Sequence, residues 1–143
     1  MNKERFKTIN AVYLILIEGG KILLSDRLNT GYFDGFYSLP AGHVEKGETL
    51  KEAMIREAKE ELGINLLELD LVHVMYRNIL DKERISFFFK CKKYQGVIKN
   101  MEAEKCDDLS WFDVNDLPEN MIPYTKEAVN YYLNKVPYSE RED

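Results

Sequence analysis

Residues 49–63 constrain the fold most, because their sequence marks both ends of a helix. Thr49 and Glu52 have the T-x-x-E spacing of a capping box, in which each side chain bonds a backbone amide that the helix start leaves unpaired. Gly63 stands where a left-handed residue ends such a helix. Between them Leu50, Met54, Ala58 and Leu62 recur every four residues and mark an apolar stripe. At about 100° per residue, Glu57 and Glu61 point close to Leu50 and Ala53, beside that stripe. Glu57, Glu60 and Glu61, spaced by three and four, converge. A solvated helix rich in Glu and Lys is one reading, but it would set its acids opposite the stripe. Carboxylates crowded in a partly dry place repel one another, and some take up protons. A hard divalent cation removes the conflict. Oxygen donors suit Mg²⁺, or Mn²⁺, and Mg²⁺ commonly holds substrate phosphates as well. That is the outline of a phosphoryl-transfer site.

The rest of the chain frames this helix. Residues 11–17 form a continuous apolar, β-branched run that suits a buried strand, and Glu18-Gly19-Gly20 turns it toward a partner at 21–24. Residues 29–35 read as a loop, and 36–39 as a short strand stopped by Pro40. Residues 71–75, 85–91 and 109–112 predict further strands. Pro123, at a helix-start position, opens a second helix to about Lys135. The polar tail from about residue 137 is expected to fray. Strands, helix, strands, helix make an α+β sandwich. With 143 residues and no repeat or linker, 1–143 is read as one domain.

Composition narrows the partners. Hydrophobic residues are 45% and charged residues 31%, a globular balance. The formal net charge of −5 disfavours a nucleic-acid backbone as partner. Cys91 and Cys106 form no CxxC pair and no histidine cluster accompanies them, so they read as free thiols rather than a zinc site. No apolar run is long enough to span a bilayer, no membrane is expected, and the reading is cytoplasmic.

From Gly42 the chain runs GHVEKGETLKEAMIREAKEELGI to Ile64. Gly42, Glu48, Arg56-Glu57-Ala58, Glu60-Glu61 and Gly63-Ile64 stand at fixed intervals, and this segment, 42–64, resembles the Nudix box. The resemblance implies the Nudix fold, an α/β/α sandwich around a central mixed β-sheet in which the box forms a loop–helix–loop. It implies a Mg²⁺-dependent hydrolase of acid anhydrides, with Glu57, Glu60 and Glu61 as metal-binding carboxylates and the backbone carbonyl of Ala41 as a further ligand. Glu48 and Arg56 resemble the pair that braces loop against helix. Gly42 permits a tight backbone path, and Gly63 is structural. Residues 36–48 and 100–118 also resemble relatives acting on nucleoside triphosphates, in which a loop glutamate approaches the metal. Glu104 is the first choice for that role and Glu102 the second. Ala103 stands where many relatives have proline, and Ala41 where glycine is most common.

The activity so implied is attack of water on phosphorus, with Glu57 or Glu104 taking the proton and a (d)NTP giving (d)NMP and pyrophosphate, as in enzymes that remove non-standard nucleotides. Arg27 is a candidate phosphate contact. Tyr13, Phe89, Trp111 and Tyr124, with Phe87 and Phe88, are candidate stacking surfaces for a base, though most such rings fill cores. His43 reads as a plain loop residue and His73 as structural. Two alternatives stay open. One is another NDP-X substrate such as a sugar nucleotide, a dinucleotide polyphosphate or ADP-ribose; the proline typical of ADP-ribose enzymes downstream of the box is missing from 65–117. The other is a non-catalytic nucleotide-sensing module, which usually lacks box carboxylates. A homodimer is compatible with everything above.

Overall fold

The computed structural model describes residues 4–79 and 82–142. The 11–17 run splits into β1 (Ile9–Ile15) and β2 (Ile17–Glu18), and the Gly19-Gly20 turn leads into β3 (Lys21–Arg27). Two short strands follow, β4 (Tyr37–Ser38) and β5 (Ala41–His43), the second not anticipated from sequence. Helix α1 (Leu50–Leu62) has the predicted caps: Thr49 and Glu52 bond each other's backbone amides, and Gly63 is left-handed at φ 71°. The long hairpin β6 (Asn65–Ile79) and β7 (Lys82–Gln95) precedes β8 (Cys106–Asp113), α2 (Pro123–Leu133) and β9 (Tyr138–Arg141).

The central sheet has the order β5-β1-β7-β6-β9 and is mixed, with β1/β7 and β6/β9 parallel and β1/β5 and β6/β7 antiparallel. A smaller antiparallel sheet joins β2, β3 and β4, with β8 on the other edge of β3. Alternation along the strands builds two cores. Val12, Leu14 and Phe89 pack with Met54, Ala58 and Leu62 of α1. Tyr13, Ile15, Phe88 and Met75 pack with Tyr124, Ala128 and Val129 of α2. The result is an α+β sandwich with the mixed sheet between two helices. None of the described helices is long and apolar enough to cross a membrane.

The tail corrects an expectation. Residues 138–141 do not fray; they form β9, in register with Val74 to Arg77 of β6. Buried His73 holds them, one ring nitrogen 2.7 Å from the Val136 carbonyl and the other 2.8 Å from Ser139 Oγ. A polar strand is stable there because its ladder bonds and this histidine satisfy groups that would otherwise need water.

Candidate functional site

Helix α1 presents its acidic edge to the β5 segment. Glu61 accepts a 3.1 Å hydrogen bond from the Ala41 amide. Gly42 lies so close to Glu57 that a β-carbon there would sit 2.0 Å from the carboxyl carbon. Only glycine leaves that carboxylate its place. Arg56 ties the same region together. Its Nε and Nη2 reach the two oxygens of Glu48 at 2.6 and 3.0 Å, and Nη2 also donates to the His43 carbonyl at 3.0 Å. Its Nη1 donates to Glu57 at 2.7 Å and Glu60 at 3.3 Å. Such a planar fork matches a carboxylate in a way lysine cannot. The pairing holds Glu48 below the usual carboxylate range, chiefly through the Arg56 hydrogen bond.

The helix end imports another acid. The amides of Lys99 and Met101 bond the Leu62 and Glu61 carbonyls at 2.9 and 3.0 Å, capping orphan groups of the last turn. This anchors the following loop beside α1 and sets Glu102 at the cavity. The Lys105 and Cys106 amides then both bond the Glu102 carbonyl at 2.9 Å. That tight turn leaves Glu104 exposed and off the cavity wall, so the order of the two loop glutamates reverses: the structure brings Glu102, not Glu104, to the box carboxylates.

These groups line a cavity of about 600 Å³ that holds Glu57, Glu60, Glu61 and Glu102 together with Arg27, Arg84 and Lys105. Burial pushes the Glu61 carboxyl well above its ordinary value, and the charges of Glu57 and Glu102 push it further. Glu57 is raised by burial too, against the pull of Arg56. Among the proposed base contacts, Tyr13 and Tyr124 line the cavity, their hydroxyls 2.9 Å apart. Arg27 lines it as well, braced by the Tyr32 carbonyl at 2.7 Å and Thr30 Oγ1 at 3.0 Å. Phe89 does not: strand alternation turns it to the α1 core, on the opposite face from Tyr13. Trp111 does not either; it is exposed on β8, across from Leu23. His43 is on the rim. Arg84, Lys105 and Tyr32 were missed. Arg84 was within reach, because it shares strand parity with Phe88; the other two depend on loop paths.

The NUDIX domain family matches residues 7–132, most of the chain. The chain belongs to the Nudix family. An ADP-ribose pyrophosphatase of Methanocaldococcus jannaschii is 35% identical over 123 residues, 85% of this chain and 71% of that protein. A putative 8-oxo-dGTP diphosphatase of Bacillus subtilis is 31% identical, covering 89% of this chain and 80% of its own length. The crystal structure of a MutT NUDIX hydrolase from Burkholderia pseudomallei superposes with a TM-score of 0.79 at 26% identity, covering 87% of this chain and 98% of that one. This protein is thus a Nudix hydrolase of the pyrophosphatase type.

Nudix hydrolases generally use divalent metals. Among the described residues no three acidic, histidine or cysteine side chains already form a ligating cage, and Glu57 and Glu60 are paired with Arg56. The donor set still fits a hard cation. It is all carboxylate oxygen, and Glu61, the most strongly perturbed member, is held by a single amide against the repulsion of Glu57 and Glu102.

Proposed function

We propose that this Nudix hydrolase cleaves a phosphoanhydride bond of a nucleoside triphosphate, releasing the nucleoside monophosphate and pyrophosphate. The observation that carries the reading is the crowding of Glu57, Glu61 and Glu102 on one wall of a cavity that also contains Arg27 and Lys105. That wall suits Mg²⁺ (or Mn²⁺), and the cationic side chains suit a polyphosphate. Glu57, Glu60 and Glu61 would hold the metal, with Ala41 contributing its carbonyl. When bound, it supplies positive charge to the phosphate oxygens and acidifies water.

The chain's own residues do the rest. Arg27 and Lys105 bind phosphate oxygens, and the Tyr13–Tyr124 pair borders the nucleoside. Water attacks one phosphorus; a new P–O bond forms as the anhydride P–O bond breaks, and the bridging oxygen leaves with the pyrophosphate. Glu102 takes the proton of the attacking water. Glu57 is less available for that task, because Arg56 occupies its Oε1 and the residue is assigned here to the metal. Arg56 and Glu48 position the loop and do not touch the reacting atoms.

ADP-ribose is a second reading, favoured by the resemblance to the Methanocaldococcus jannaschii enzyme. One panel tests both: nucleoside triphosphates, ADP-ribose and dinucleotide polyphosphates with Mg²⁺, with monophosphate, pyrophosphate and orthophosphate measured separately. Pyrophosphate from triphosphates at higher kcat/KM than any turnover of ADP-ribose is the expected result. Turnover of ADP-ribose alone selects the second reading, and no turnover of any compound refutes both.

A further inference from the structure

Two buried polar groups behind the cavity have no partner among the described residues: Arg77 Nε and Ser86 Oγ. Arg77 is 2% exposed and Ser86 1% exposed. Burying an arginine is costly unless acceptors replace its water. Arg77 forms no salt bridge among the described residues; its guanidinium instead lies 3.5 Å over the ring of Tyr124, which lines the cavity. Cation–π stacking leaves the in-plane N–H donors unused.

Strand register shows where these groups stand. Arg77 is directly across from Arg84, and Ser86 directly across from Ala11, and both of those partners line the cavity. Residues paired across strands share a face. Arg77 and Ser86 are therefore one strand behind the cavity wall, on the face of Tyr13 and Tyr124. The side chain beside Ser86 on β1, that of Ala11, is a single methyl group. Ala11 is two residues, about 7 Å, and Ile9, which pairs with Arg84, about 13 Å along β1 from Tyr13. Tyr13 is itself paired with Ala41, the residue that holds Glu61. A ligand anchored by its phosphates at the glutamates would bring its base, not its phosphates, to this end.

We propose that Arg77 and Ser86, with Arg84, form a subsite for the carbonyl edge of an oxo-substituted nucleobase, so that 6-oxopurines and 4-oxopyrimidines are preferred over adenine and cytosine. The inference rests on the nucleotide-hydrolase reading above. A guanidinium offers only donors. It therefore rewards a ring carbonyl and, in purines, the neighbouring N7, and meets an exocyclic amino group donor to donor. A site whose buried polar groups stay unpaired with the wrong ligand discriminates strongly.

The test separates recognition from hydrolysis by using products without metal. Binding of GMP, IMP, UMP, AMP and CMP to the whole protein is measured by calorimetry in EDTA. GMP, IMP and UMP are expected to bind at least about tenfold more tightly than AMP and CMP. Arg77→Met is expected to cut that ratio to about twofold or less while AMP affinity stays near wild type. Arg84→Met, at a partly exposed position that retains the fold if Arg77→Met does not, is expected to cut it about threefold. Equal binding of all five, tighter AMP or CMP, no binding of any at several millimolar, or an unchanged ratio in a folded Arg77→Met or Arg84→Met protein overturns the subsite. Failure here with intact pyrophosphate release leaves the hydrolase reading standing. Base discrimination without turnover sinks that reading and keeps the subsite.

Discussion

Gly42→Ala places a methyl carbon 2.0 Å from the Glu57 carboxyl carbon and 2.2 and 2.4 Å from its oxygens. Ordinary contact begins at 3.4 Å, so carboxylate or loop must yield by about 1.4 Å. The carboxylate yields more cheaply, because it ends a flexible side chain while Gly42 is tied to Val12 in the ladder. Swinging it away sacrifices the 2.7 Å bond from Arg56, a partly buried charged contact worth about 1–2 kcal/mol. At roughly 2–4 °C per kcal/mol the melting temperature falls by only a few degrees. Catalysis is less forgiving: displacing a reacting group by over 1 Å costs about 100-fold, near 2.7 kcal/mol. The variant is expected to fold, melt slightly lower and lose about two orders of magnitude in kcat/KM for its best triphosphate. Differential scanning fluorimetry and pyrophosphate release measure the two effects. Combining it with Glu57→Asp, which withdraws the carboxylate, should recover part of the melting loss. A Gly42→Ala protein within threefold of wild-type kcat/KM would refute the claim that the Glu57 position matters.

Other changes separate folding from chemistry in the same way. Glu61→Gln keeps the shape but removes the charge, so activity should fall at least about 100-fold while the metal-free protein becomes more stable at neutral pH. The sign follows from the raised carboxyl: its favourable protonated form persists below the ordinary value of 4.5, and stability is lost as pH rises through the higher folded value. Melting without divalent ions should drop over that window in wild type and change less in the variant; matching profiles would contradict it. Arg56→Lys loses the fork to Glu48 and should cost about 1–3 kcal/mol by urea unfolding with about tenfold lower kcat. Ending the chain after Pro137 strips β9 from β6 and leaves one His73 nitrogen unpaired, so a loss of at least about 2 kcal/mol is expected by urea unfolding.

What the sequence disclosed follows from range. The α1 caps and the Gly19-Gly20 turn into β3 are set by neighbours a few residues away and were legible, whereas the break of the apolar run into β1 and β2 was not. The hairpin was seen only as fragments, because register shifts near Leu66, Glu68 and Leu71 break the alternation on which strand reading relies. Residues 138–141 carry no strand pattern at all; their order comes from His73, more than sixty positions earlier. At the site, Glu57 and Glu61 declared themselves by helical angle. The choice between Glu102 and Glu104 rested on two amides that close the end of α1, a backbone event that composition does not encode. Phe89 and Trp111 show the converse: an aromatic ring in a strand says nothing of which face it serves until its neighbours are paired.

Arg56 places a positive charge of the protein's own among Glu48, Glu57 and Glu60, with a hold on the His43 carbonyl. The loop and helix thus interlock through a covalently attached counter-ion, and their assembly need not await a dissolved one. An ion held by Glu57 and Glu60, as proposed above, would meet carboxylates that each already have one oxygen engaged by that guanidinium. Loading would then be an exchange of partners rather than an act of construction, with the loop and helix already joined before the ion arrives.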